Sequence, residues 1–192
     1  MTSNAPKFRL LHLPRLALES VLSNFDHLDR FEFSTCSKRC KLIVKSLKHG
    51  FTEIEVELFN DLTSVNVISG RHLKEYTRFH LFESPACGNH QFRTFNGRTV
   101  RMRKTDGTVC IYCSEGLTVK ALVDHFGEIF KVPITTLKFF LHGFDNYRHF
   151  VQCFPKYENL RICGMWPIPE EDITYLKEHV KHNHFYINGN LR

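Results

Sequence analysis

Four soft side chains carry the one spacing that could hold a metal. Cys87 and His90 lie three apart, as do Cys110 and Cys113, and 19 residues separate the two pairs. That is roughly a zinc-ribbon spacing. However, Cys110 and Cys113 fall on a predicted strand, where residues three apart point to opposite faces. Ser114-Glu115 also follows where a knuckle usually turns on glycine. Small core or strand cysteines are the plainer reading, and Cys87, His90, Cys110 and Cys113 stand as weak metal candidates with no cofactor expected. Twelve His and seven Cys invite a Cys/His catalytic pair. Yet the chain has no G-x-S-x-G elbow and no phosphate loop. His125 sits beside the apolar face of its helix, and His179, His182 and His184 gather near a helix end, where cationic side chains are ordinarily favourable.

A second cluster is basic. Arg98, Arg101, Arg103 and Lys104 share one hairpin arm in a chain of formal net charge +6, and such a cluster could neutralise phosphates. No base-stacking motif accompanies it. A solvated hairpin face, or a patch for an acidic protein partner, fits better than nucleic acid.

The elements that position these residues follow from periodicity. Between residues 8 and 48 lie three short amphipathic helices. Pro14 suits a first helical turn, and Leu18, Val21, Leu22 and Phe25 follow on one face. Asp26 can cap a second helix bearing Leu28 and Phe31, and Ser37 a third bearing Cys40, Ile43, Val44 and Leu47. About 40 residues cannot bury enough surface to stand alone, so this layer needs a surface from its own chain or from a partner.

This segment resembles an F-box. The resemblance rests on Leu13-Pro14, Leu18-Glu19, Val21-Leu22, Asp26, Leu28, Cys36-Ser37-Lys38-Arg39 and Ile43-Val44. Its tail STCSKRCKLIVKS is most similar to the large nematode F-box families. The pattern departs at Leu16, where an acidic residue is common, and at Cys40, where Trp is common. The resemblance implies docking to the Skp subunit of a cullin-based ubiquitin ligase through Leu13, Pro14, Leu18, Val21, Leu22, Leu28, Phe31, Cys36, Ser37, Lys38, Ile43 and Val44. It brings no catalytic residue, since transfer chemistry belongs to other subunits. The alternative is a stand-alone protein-interaction domain in which this module is a helical cap packed on its own domain.

After Lys48 the period changes to two. Ile54, Val56 and Leu58 alternate with Glu53, Glu55 and Glu57. Strands are predicted around Val65 to Ile68, Thr77 to Phe82 and Gln91 to Phe95. Asn96-Gly97 and Asp106-Gly107 supply hairpin turns. Residues 51–113 thus read as an antiparallel meander. From Gly116 the chain alternates helix and strand. Thr118 can cap a helix with Val119, Leu122, Val123, Phe126, Ile129 and Phe130 on one face. Strands at Leu137, Leu160 and Phe185 alternate with helices at Tyr147 and Glu170.

Three strands end alike at Gly143, Gly164 and Gly189, at intervals of 21 and 25 residues. That is the period of leucine-rich-like β–helix units. Residues 117–189 also resemble the F-box-associated domain of the same nematode families, which implies recruitment of a protein substrate. Because that domain commonly runs on, the end at Arg192 suggests a short member or a truncated chain. The expected class is α+β: a three-helix F-box at 8–48, then a substrate-recruiting domain at 50–192 with a meander at 51–113 and leucine-rich-like units at 117–192.

Compartment and membrane follow from the same reading. Arg9, His12, Arg15 and Glu19 break any secretory signal. No stretch approaches the roughly 18 apolar residues that span a bilayer. Seven irregularly spaced Cys fit reduced thiols in the cytoplasm or nucleus.

Overall fold

The computed structural model describes residues 10–60, 62–69, 75–82, 90–95, 98–105, 108–112, 116–144, 147–154, 156–164 and 167–188. A 3₁₀ turn at Leu10–His12 leads into α1 (Arg15–Ser23), α2 (His27–Cys36) and α3 (Lys38–Ser46). Six strands follow: β1 (Phe51–Leu58), β2 (Leu62–Ser69), β3 (Glu75–Phe82), β4 (Gln91–Phe95), β5 (Arg98–Thr105) and β6 (Thr108–Tyr112). Then come α4 (Gly116–Phe130), β7 (Ile134–Phe140), α5 (Tyr147–Cys153), β8 (Asn159–Cys163), α6 (Glu170–His179) and β9 (His184–Asn188).

The caps form as their chemistry requires. The Asp26 carboxylate accepts the Asp29 amide at 2.6 Å, and the Ser37 hydroxyl accepts that of Cys40 at 3.1 Å. Thr118 lies inside α4 and is not its cap, because the helix already begins at Gly116. The helix nonetheless buries Val119, Leu122, Val123, Phe126, Ile129 and Phe130 on one stripe.

The nine strands among the described residues join one mixed sheet in the order β4-β5-β6-β3-β2-β1-β7-β8-β9. The expected meander is corrected at one place. The β4–β5, β5–β6, β1–β2 and β2–β3 pairs are antiparallel, but β3 and β6 are parallel. Val109 and Ile111 of β6 are fully buried, so β6 takes an interior place beside β3. The β4 strand, with exposed Phe92, goes to the edge. The hairpin turns at Asn96-Gly97 and Asp106-Gly107 lie outside the described residues. The other half runs parallel: β1–β7, β7–β8 and β8–β9, with α5 and α6 as crossovers. Thr136, Asn159 and His184 are paired across β7, β8 and β9. Gly143, at φ +66°, turns the chain away after β7 in a conformation that costs glycine little. Gly189 lies outside the described residues.

One face of the sheet is apolar and covered. Ile54, Val56, Leu58, Val65, Val67, Phe79, Leu81, Val109, Ile111, Leu137, Phe139, Leu160 and Ile162 form a single core with side chains from α2 to α6. The decisive members from the N-terminal helices are Leu28, Phe31 and Val44. Phe31 is fully buried, its ring 4.8 Å from Phe79 of β3 and 4.8 Å from Phe126 of α4. Ser34 of α2 meets His125 of α4 at 2.8 Å. Glu128 of α4 pairs with Lys41 at 2.7 Å and with Lys45 at 3.4 Å. Thus the apolar layer of residues 8–48 finds much of its missing surface within its own chain.

Two predictions follow from this junction. Phe31→Ala removes the ring between Phe79 and Phe126 and is expected to cost about 3–5 kcal/mol. Urea unfolding should show that loss in helix and sheet signals together. His125 is 3% exposed, and burial, aided by the Lys41 charge, pushes its imidazole down to about 4 from an ordinary 6.5. The ring is therefore neutral in the fold but takes a proton in the unfolded chain as pH drops below 6.5. Its contribution is complete above that pH and is lost as pH falls toward 4. Between pH 7.5 and 5.0 the loss should be about 2 kcal/mol. Unfolding curves of His125→Gln across the same range should be flatter by that amount.

Candidate functional site

The N-terminal helices have an inner and an outer side. Burial inside this chain takes Leu18, Leu22, Leu28, Phe31 and Val44, which are between 0% and 7% exposed. These five expected docking residues therefore face the chain's own interior, because the helical period that groups them is the one that turns them toward it. Leu13 and Ile43 are half-buried, and Pro14, Val21, Cys36, Ser37 and Lys38 are exposed. The structure adds two apolar residues that the spacing had not marked: Leu16 at 80% and Leu42 at 63% exposure. Their signal lay in being apolar off the buried stripe.

Polar side chains hold α1 in place. Arg30, buried on α2, donates from Nε to the Leu22 carbonyl at 3.2 Å and from Nη2 to the Ser23 carbonyl at 2.8 Å. These are carbonyls of the last helical turn, which lack partners in their own helix. Arg39 on α3 donates to the Leu11 carbonyl at 3.1 Å. The surface around Pro14, Leu16 and Val21 is thereby presented on a pinned helix. On α2 and α3, Cys36, Ser37, Lys38 and Leu42 line a groove of about 590 Å³ that reaches Thr94 of β4 and Glu128 of α4.

The second surface is the face of the sheet that no described helix covers. Side chains alternate along each strand, so Glu53, Glu55 and Glu57 of β1 point away from the core. With Asn66, Arg78, Thr136, Lys138, Asn159 and Arg161 they line a polar cleft of about 320 Å³. Lys138 donates to Glu55 at 2.7 Å and to Glu57 at 3.0 Å. Burial alone would lower its ammonium, but the two carboxylates outweigh that and hold it above its ordinary range. Toward the carboxyl ends of the parallel strands the face turns apolar. Phe59 stacks on Phe140 at 4.1 Å, and both line a cavity of about 540 Å³ with Cys163 and Asn188. Burial raises the Cys163 thiol, which keeps it protonated and a weak nucleophile.

The basic hairpin arm is divided by the same alternation. Lys104 faces the helices, where Asp29 accepts from it at 2.8 Å and Asp26 lies at 3.8 Å. Arg101 and Arg103 are exposed on the other face. The side chain of Arg98 lies outside the described residues.

Of the metal candidates, Cys87 and Cys113 lie outside the described residues. His90 packs edge-on against Tyr112 at 5.1 Å, and the Cys110 sulfur lies 3.9 Å from the Thr105 hydroxyl. Among the described residues no group of three or more His, Cys, Asp or Glu side chains is arranged to hold a metal. Cys36, Cys40, Cys110, Cys153 and Cys163 are free thiols. His179 approaches the Tyr175 carbonyl at 2.9 Å and His182 the Val180 carbonyl at 2.6 Å, whereas His184 is exposed on β9. Among the described residues no helix is long and apolar enough to cross a membrane.

Comparison with known proteins bears on the helical part. An uncharacterized protein of Caenorhabditis elegans is 49% identical over 39 residues, which is 20% of this chain. The chain covers 12% of that relative's own length. No solved structure matches the chain significantly. The helices α1 to α3, with the start of β1, match the F-box domain family over residues 10–52.

Proposed function

We propose that this chain is a non-catalytic substrate-recognition adaptor. Its N-terminal helices dock to the Skp subunit of a cullin-based ubiquitin ligase, and its sheet recruits a protein target. The observation that carries the reading is the F-box match over α1 to α3. In this reading the docking surface consists of the outward residues: Leu13, Pro14, Leu16, Val21, Cys36, Ser37, Lys38, Leu42 and Ile43. Leu18, Leu22, Leu28, Phe31 and Val44 support it from beneath. Exposed apolar side chains such as Leu16 and Leu42 gain most by desolvation against a partner.

The second part of the reading is that residues 50–192 are an F-box-associated domain. The three parallel strands β7–β9 and the helices between them are consistent with leucine-rich-like β/α units. The adaptor would act by proximity in the cytoplasm or nucleus. Holding a target's lysines near a charged ubiquitin-carrying enzyme raises their effective concentration without chemistry in this chain. No cofactor is needed for that.

Docking is tested with Val21→Asp and Leu42→Asp, since both side chains reach solvent and the fold should survive. Each is expected to reduce co-purification with the Skp subunit at least tenfold while the thermal midpoint stays near that of the parent. Unchanged co-purification by both variants would remove the docking assignment.

A further inference from the structure

Over β3 to β6, the face that no described helix covers differs in charge from the rest of the sheet. Phe92, Arg101, Tyr112 and Phe82 occupy directly paired positions on four neighbouring strands. One step along β5, Arg103 pairs with Cys110, and Cys110 pairs with His80. Phe92 is 68% exposed, and Arg101 and Arg103 are exposed as well. Neither arginine makes an ion pair among the described residues. The described side chains of β3 to β6 include no carboxylate on this face.

The acidic part of the same face is already compensated. Lys138 pairs with both Glu55 and Glu57, and with Arg78 and Arg161 in the same cleft it balances the charge of Glu53, Glu55 and Glu57. Among the described residues the uncompensated charge is therefore cationic and centred on β5. Residues two apart on a strand point the same way about 7 Å apart. An extended peptide repeats its side chains at that same distance, so carboxylates two residues apart in a bound segment would meet both arginines.

We propose that this face binds an extended acidic segment of a protein target. Carboxylates at alternate positions pair with Arg101 and Arg103, and an apolar side chain packs on Phe92. The proposal rests on the adaptor reading given above and names the class of target. Single-stranded nucleic acid fits less well, because stacking platforms need several open ring faces. Phe82 and Tyr112 are stacked on each other at 5.5 Å, and His90 packs on Tyr112.

The test uses the full chain and a fluorescein-labelled glutamate–tyrosine copolymer (4:1), with binding followed by fluorescence polarisation at 50 and 200 mM NaCl. The parent protein should bind the copolymer, more weakly at the higher salt. Arg101→Glu with Arg103→Glu should weaken binding about tenfold, and Phe92→Ala about fivefold. All three positions are exposed, so circular dichroism should be unchanged, and Val21→Asp should bind as the parent does. Absence of binding by the parent at 50 mM salt, or undiminished binding by both variants, would overturn the proposal. So would tighter binding of a 15-nucleotide oligouridylate than of the copolymer, which would make the face a nucleic-acid surface. Retention of the Skp subunit, measured on the same samples, separates the two readings. Parent protein that retains Skp but does not bind the copolymer refutes the acidic-target reading alone, and parent protein that binds the copolymer but does not retain Skp refutes docking alone.

Discussion

The structure depends on the ring of Phe31, held between Phe79 and Phe126. Three short helices cannot close a core, and a sheet with one apolar face cannot leave it in water. Phe31 meets both needs by placing α2 on the sheet and against α4 at once. The polar contacts around it act as guides. The Ser34–His125 contact and the Lys41, Lys45 and Glu128 cluster fix the angle at which the helices lie. The charged pairs are half-exposed and contribute little each, so burial of the rings supplies most of the stability.

That anchoring gives the molecule two outward surfaces in one rigid frame. The helices spend one side on the core and keep the other, with Leu16, Val21 and Leu42, for solvent or a partner. The sheet likewise spends one face on the helices, and no described helix covers the other. That second face is not uniform. It is charge-balanced where Lys138, Arg78 and Arg161 meet the three glutamates of β1, apolar beside Phe59 and Phe140, and cationic over β5.

Local elements were legible wherever a side chain decides its own neighbourhood. Asp26 and Ser37 cap the helices that their positions foretold, and the six apolar residues of α4 form one buried stripe. The alternation of Ile54, Val56 and Leu58 with three glutamates is a strand with one wet face. What was not legible concerns partners distant in the chain. The parallel seating of β6 beside β3 depends on which strand best tolerates an edge, and no local signal ranks Val109 against Phe92 in that respect. Nor does periodicity distinguish burial against a partner from burial against the same chain. Phe31 and Val44 were expected to face outward for that reason.

By itself, then, the sequence determined the elements, their caps, their apolar faces and the F-box pattern of the first fifty residues. Each of these follows from side chains within a turn or a strand's length of one another. Only the tertiary structure decided how those faces were shared out. It assigned Leu22, Leu28, Phe31 and Val44 to the interior and left Leu16 and Leu42 outside. It also turned Lys104 away from Arg101 and Arg103. The physical reason is that exposure is a property of what packs opposite, and for α2 what packs opposite lies about 50 to 95 residues away in the chain.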